Sequence, residues 1–255
     1  MVFKLKKKAS KYLEVFFLLY LQIKKRFINQ KFNVSFLTIM KKIISPSLLS
    51  ADFGNLQAAC EMINDSDAEW LHIDVMDGSF VPNISFGFPV LEAAKEYCSK
   101  PLDVHLMIVH PEKYISRFAK AGASILTFHY ETVEKPMEVI ELIKAQGIKA
   151  GITINPDVPV SVLEPFIDKV DLVLLMTVFA GYGGQKFMEE SYERIAELKE
   201  LIKKKNAHCI IEVDGGVNEQ NAATLFASGV NVLVAGSAVF KSADPKKTIH
   251  SMLNS

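Results

Sequence analysis

Residues 71–83 read LHIDVMDGSFVPN, a run that opens like a buried strand and closes like a polar turn. A strand covered on both faces should be nearly continuous Val, Ile and Leu. His72 and Asp74 break this one at i and i+2, so their side chains share one side of the strand. Two polar groups buried side by side cost free energy unless something satisfies them. A metal, a substrate or a structural hydrogen bond would each do so.

Outward from this stretch, short apolar runs alternate with amphipathic ones. Strands are predicted at Ile43–Leu48, Trp70–Val75, Leu102–Met107, Ser124–His129, Lys149–Ile154, Leu172–Val178, Cys209–Val213 and Val232–Ala235. Helices are predicted at 55–64, 89–97, 112–121, 136–146, 160–166, 191–205, 218–228 and 245–253. Turn chemistry separates them, as in AGA at 121–123, QGIK at 146–149 and SGV at 228–230. Eight strand–helix units predict an α/β fold, a single (β/α)8 TIM barrel with a short N-terminal extension outside it. A doubly wound sheet is the alternative. No GxGxxG follows the first strand, which weighs against a dinucleotide site.

The chain of 255 residues, 49% hydrophobic, is long enough to bury one barrel-sized core. Its formal net charge of zero hides an uneven distribution. Residues 1–40 hold nine of the 29 Lys and Arg and one of the 29 Asp and Glu, leaving 20 basic against 28 acidic residues elsewhere. A body that acidic lacks the footprint of a nucleic-acid binder. Cys60, Cys98 and Cys209 lie far apart with no CxxC pair, which fits a reducing compartment and a cytoplasmic location. Residues 1–39 are basic at both ends of the apolar run VFFLLYLQI, which is shorter than the roughly 20 residues a membrane span needs. They are expected to be disordered or an upstream extension from a misassigned start, with residues 40–255 forming the barrel and Met40 opening it; a basic amphipathic surface helix is the other reading.

In a (β/α)8 barrel, function gathers at the C-terminal ends of the strands. Ser47, His72, Asp74, His105, His129, Asn155 and Asp214 all fall there. Any one of them could be a hydrogen-bonded core or cap residue; so many at one rim are harder to explain that way. Two imidazoles and two carboxylates, His72, Asp74, His105 and Asp214, suit Zn2+, Mn2+, Fe2+ or Co2+. Late glycines add a second theme. GYGGQ at 181–185, DGG at 214–216 and AGSAVF at 235–240 offer backbone N–H groups of the kind that hold a phosphate. No Walker lysine pattern is present, which argues against nucleotide hydrolysis.

SPSLLSADF (45–53), LHIDVMDGSFVPN (71–83), LDVHLM (102–107), GYGGQKF (181–187) and EVDGGVN (212–218) together resemble the ribulose-phosphate 3-epimerase family, from about Met40 to the C-terminus. The resemblance implies a (β/α)8 barrel of the pentose phosphate pathway that interconverts D-ribulose 5-phosphate and D-xylulose 5-phosphate. It implies one divalent metal per chain, zinc before iron, manganese or cobalt, on His72, Asp74, His105 and Asp214. Asp74 and Asp214 would be the two proton-transfer groups, acting through a metal-stabilised enediolate. Ser47 and His105 would contact the substrate. Met76, Met107 and Met176 would wall the reacting carbons; by composition alone they read as gap-filling core. The phosphate would sit on Gly181, Tyr182, Gly183, Gly184, Gly215, Gly216, Gly236 and Ser237. Partners would be a small sugar phosphate and further copies of the chain, with no nucleic acid and no membrane for the barrel. One departure stands out: the family has Asn-Pro before these glycines, and this chain has Phe179 and Ala180. A hexulose-phosphate (allulose 6-phosphate) 3-epimerase would share the metal and both aspartates. A non-catalytic phosphate-binding barrel is the alternative from another class.

Overall fold

The computed structural model describes residues 41–255, and the expectations for the leader lie outside the described residues. Eight parallel strands form one sheet: β1 (Ile43–Pro46), β2 (Leu71–Met76), β3 (Leu102–Met107), β4 (Ala123–His129), β5 (Lys149–Ile154), β6 (Leu172–Met176), β7 (Ile210–Asp214) and β8 (Val232–Ala235). From β2 to β8 each strand pairs with its neighbour in sequence, and β1 pairs with β8. An isolated parallel bridge between Ser47 and His72 joins β1 to β2 and closes the barrel. The helices are α1 (Leu56–Asn64), α2 (Phe88–Tyr97), α3 (Ile115–Ala121), α4 (Pro136–Ala145), α5 (Ser191–Lys205), α6 (Glu219–Ser228), α7 (Ser237–Phe240) and α8 (Pro245–Leu253).

Local chemistry sets these limits. Asn218 caps α6 by accepting from the N–H groups of Gln220 and Asn221, and Asn221 answers by accepting from Asn218 N–H. Asp244 caps α8 by accepting from Lys247 N–H, with Pro245 at the first helical position, where a missing N–H costs nothing.

The core divides into two layers. Outward-facing strand residues such as Ile73, Val104, Leu126, Ile152, Val173, Val213 and Leu233 pack under the helices. A smaller cluster of Ile43, Trp70, Ile125, Leu172, Leu174 and Val232 fills the barrel interior. Above it the interior turns polar, with Ser45, His72, Asp103, Thr127, Thr153 and Glu212 all fully buried.

Several predicted boundaries need correction. No α-helix forms at 160–166: Val160–Leu163 is a single 3-10 turn followed by hydrogen-bonded turns. The connection from β5 to β6, residues 155–171, runs through turns instead, and Pro159 fixes the start of the 3-10 turn. The run at 112–121 is divided, with a 3-10 turn at Pro111–Lys113 before α3. β1 stops at Pro46 and β6 at Met176, so Ser47 and Val178 lie in the loops above them. Asp214 is the last residue of β7 rather than a loop residue. The one-turn helix α7 was not foreseen.

Candidate active site

The register of the sheet assembles the site. His72 pairs with Asp103 and Asp74 with His105 across β2 and β3, while Asp214 ends β7. Three strands thus carry a polar residue at i and i+2: His72 and Asp74, Asp103 and His105, Glu212 and Asp214. Alternation turns all six into the barrel in two tiers. The lower tier is His72, Asp103 and Glu212; the upper is Asp74, His105 and Asp214.

His72, Asp74, His105 and Asp214 each bring one ligand atom, all within 4.8 Å of one another. His105 Nδ1 lies 3.2 Å from Asp74 Oδ1 and 3.8 Å from Asp214 Oδ2. His72 Nδ1 is 2.7 Å from Asp103 Oδ2, which holds the ring from below. His72 Nε2 is 3.3 Å from Asp74 Oδ1, yet it has no hydrogen-bond partner among the described residues and is fully buried. A buried imidazole anchored through one nitrogen, with the other facing two carboxylates and a second imidazole, fits a first-row divalent cation.

The electrostatics divide the carboxylates. Burial opposes charge on Asp74, but the neighbouring His72, with His105 beside it, holds its pKa well below the carboxylate range. Burial, then the charge of Asp74, pushes Asp214 up to about 7. Burial also opposes charge on His72, but Asp74 and Asp103 outweigh it and raise its pKa well above the imidazole range. The same carboxylates would hold a cation in place of that proton. Burial and the Asp103 charge push the Glu212 carboxyl well up beneath the site.

Most sequence-predicted residues line one cleft at the C-terminal rim: Ser47, Asp74, Met76, Met107, Met176, Gly181–Gly184, Asp214–Gly216, Gly236 and Ser237. His72 and His105 lie fully buried behind it. Ser47 Oγ donates to Asp74 Oδ2 at 2.5 Å. Met76 and Met107 pack with Val81 on one side, and Met176 joins the interior cluster. Two further rim residues do not line the cleft. His129 lies behind His105, and Asn155 supports the glycine loop, its Oδ1 accepting from Ala180 N–H at 3.0 Å.

The glycine segments form the opposite side. Gly181, Gly184, Gly215 and Gly216 have positive φ. At Gly216 (φ +67) an added Cβ would fall 2.2 Å from Phe187 N, so the two backbones approach closely there. Asn83 Nδ2 donates to Gly181 O at 2.9 Å and Tyr182 OH to Pro82 O at 3.2 Å. The polar tail of residues 71–83 therefore ties the β2 loop to the loop after β6.

Sequence reasoning missed Asp103, Glu212 and Arg194. The first two carry the same i, i+2 signal as His72 and Asp74 and could have been found by it. Arg194 gave no local signal: it reaches from α5 to donate to Met176 O at 2.9 Å and Asn155 O at 2.8 Å, joining the ends of β5 and β6.

The sequence model of the Ribulose-phosphate 3 epimerase family matches residues 43–240. The chain belongs to this family. A ribulose-phosphate 3-epimerase of Bacillus subtilis is 48% identical over 213 residues, 83% of this chain and 98% of that protein. The chloroplastic ribulose-5-phosphate-3-epimerase of Arabidopsis thaliana is 44% identical over 209 residues, 81% of this chain and 74% of that one. A tryptophan synthase α-subunit variant from Pyrococcus furiosus superposes with a TM-score of 0.64 at 17% identity, over 85% of this chain and all of that one, and shares the barrel alone. As a member of the ribulose-phosphate 3-epimerase family the chain is an enzyme, an isomerase. Among the described residues no helix is long and apolar enough to cross a membrane.

Proposed function

We propose that this epimerase interconverts D-ribulose 5-phosphate and D-xylulose 5-phosphate by inverting C3 with two aspartates beside a divalent cation. The observation that carries this reading is the convergence of Asp74 and Asp214, from β2 and β7, on one cleft beside His72 and His105.

C3 lies next to the C2 ketone, so its proton is acidic enough to remove. Inversion needs a base on one face and an acid on the other. Asp74 and Asp214 rise from different strands, β2 and β7, so one is suited to take the proton and the other to return one to the other face. The reverse reaction exchanges their roles. Ser47 keeps Asp74 oriented through its 2.5 Å hydrogen bond and is placed to meet the substrate. Met76, Met107 and Met176 exclude water from the reacting carbons. His72, Asp74, His105 and Asp214 would hold the cation, zinc being our choice for two nitrogens and two oxygens. When bound it supplies Lewis-acid stabilisation of the negative charge that develops on the substrate. The backbones of Gly181–Gly184, Gly215, Gly216, Gly236 and Ser237, with the turn at Tyr182, are placed to hold the phosphate. The free, buried Cys60, Cys98 and Cys209 support a reducing, cytoplasmic setting.

The test is an assay on ribulose 5-phosphate and allulose 6-phosphate, before and after chelation and readdition of zinc. Faster turnover of the pentulose, lost on chelation and restored by metal, is expected. Full activity after metal removal would refute the cation, and faster turnover of the hexulose would refute the substrate.

A further inference from the structure

His129 and Glu131 are left without a part in the chemistry described above, yet His129 is fully buried against the site. Its ring lies between His105 and Phe80, with centroids 5.0 Å and 4.6 Å away. His129 Nε2 is 2.9 Å from His105 Nε2. Two imidazole nitrogens at that distance share one proton, so one ring donates and the other accepts. On its far side, His129 Nδ1 faces Glu131 Oε2 at 3.5 Å. The other Glu131 oxygen accepts from Asn155 N–H at 2.8 Å, which fixes the carboxylate in place.

A cation on His105 Nδ1 displaces the proton that Asp74 would draw there, which leaves the direction of this chain to the Glu131 carboxylate. At 3.5 Å it acts on His129 Nδ1 through its charge more than through a hydrogen bond. A proton on that nitrogen is attracted to it; a lone pair there is repelled. With Nδ1 protonated, neutral His129 must accept at Nε2. His105 then carries its proton on Nε2 and keeps the Nδ1 lone pair, and Nδ1 is the atom 3.2 Å from Asp74 Oδ1 and 3.8 Å from Asp214 Oδ2. His72 reaches the equivalent state by a shorter route, with Asp103 directly on its Nδ1.

We propose that His129, backed by Glu131, is a positioning residue that sets the tautomer of His105 so that Nδ1 presents its lone pair to a divalent cation among Asp74, Asp214 and His72. The inference rests on the cation site proposed above.

The test uses zinc binding rather than turnover. Zinc is titrated into metal-free wild type and Glu131→Gln in competition with a chromophoric chelator, with melting curves confirming that both are folded. Groups behind a metal-ligating histidine typically contribute 10–100-fold in affinity, and a loss of about tenfold is expected in Glu131→Gln. The second readout is the 15N spectrum of zinc-loaded wild type labelled at histidine, which needs no variant. It is expected to show His129 protonated at Nδ1. Binding within twofold of wild type, or His129 protonated at Nε2 alone, would overturn the relay while leaving the cation site standing. A wild type that binds no zinc would overturn the site itself, and the relay with it.

Discussion

The two sides of the cleft are built on different principles. On one side, Asp74, His105 and Asp214 stand on strands β2, β3 and β7 and are steadied by neighbours: Ser47 on Asp74 and His129 on His105. On the other side, glycine loops follow β6, β7 and β8, and Phe179 and Tyr182 stay 50% and 54% exposed. Proton transfer depends on placing a few atoms closely, and rigid strands with supporting hydrogen bonds provide that. A phosphate offers several oxygens to many N–H groups, so a backbone cradle tolerates more variation in its side chains. The strand side should therefore respond steeply to small changes and the loop side shallowly.

The steepest response is expected at the aspartates. Asp74→Asn or Asp214→Asn should each lower kcat about 10^3-fold or more in both directions, or about 4 kcal/mol in barrier. Competition by inorganic phosphate should change little, because the glycine loops are untouched. Near-normal turnover in either variant would remove the reason for separating the two sides.

Metal affinity gives a smaller effect with a definite sign. Asp214, pushed up to about 7, and His72, raised well above the imidazole range, both hold protons in the metal-free protein that must leave when a cation binds. Zinc affinity, measured by chelator competition, should therefore rise by about tenfold or more from pH 6 to pH 8. A flat profile would mean that neither group binds the cation. Stability of the metal-free protein should run the other way with pH. The folded pKa of Asp214 lies above its unfolded value, so its contribution is complete below about pH 4 and lost as pH rises through about 7.

The loop side should barely respond. Replacing Phe179 by Asn with Ala180 by Pro removes the Ala180 N–H that donates to Asn155 Oδ1, a loss of about 1 kcal/mol. Proline offsets about 0.4–1 kcal/mol of that by stiffening the unfolded loop. A change of less than tenfold in kcat/KM is expected, with the preference for ribulose 5-phosphate over allulose 6-phosphate kept. A larger loss would place Phe179 in the site. Smallest of all, deleting residues 1–39 should leave melting temperature and kcat/KM unchanged, because every residue assigned a role lies after Met40.

The same contrast explains what the sequence made legible. His72 and Asp74 announced a polar strand tip because both interruptions fall on one strand, and the glycines of 181–184 and 214–216 announced the loops because they cluster locally. The lower tier of Asp103 and Glu212 went unread because its meaning depends on β3 and β7 meeting β2 inside the closed barrel. Arg194 lies on a helix, 18 residues after the Met176 carbonyl it holds. His129 read as one more rim residue, and only the closure of the barrel shows that it supports His105 from behind. The expected helix at 160–166 failed for a simpler reason: Val160 and Leu163 are buried by one 3-10 turn and the turns that follow it.

The central claim is that two aspartates, not one, exchange the proton at C3. It is tested most directly by a single turnover of ribulose 5-phosphate in D2O, followed by mass or NMR analysis of the xylulose 5-phosphate formed. With one group removing the proton and another supplying a different one, the product is expected to carry solvent deuterium at C3 in nearly every molecule. Product that retains the original hydrogen at C3 would mean that a single group carried it from one face to the other, and would contradict the two-aspartate reading.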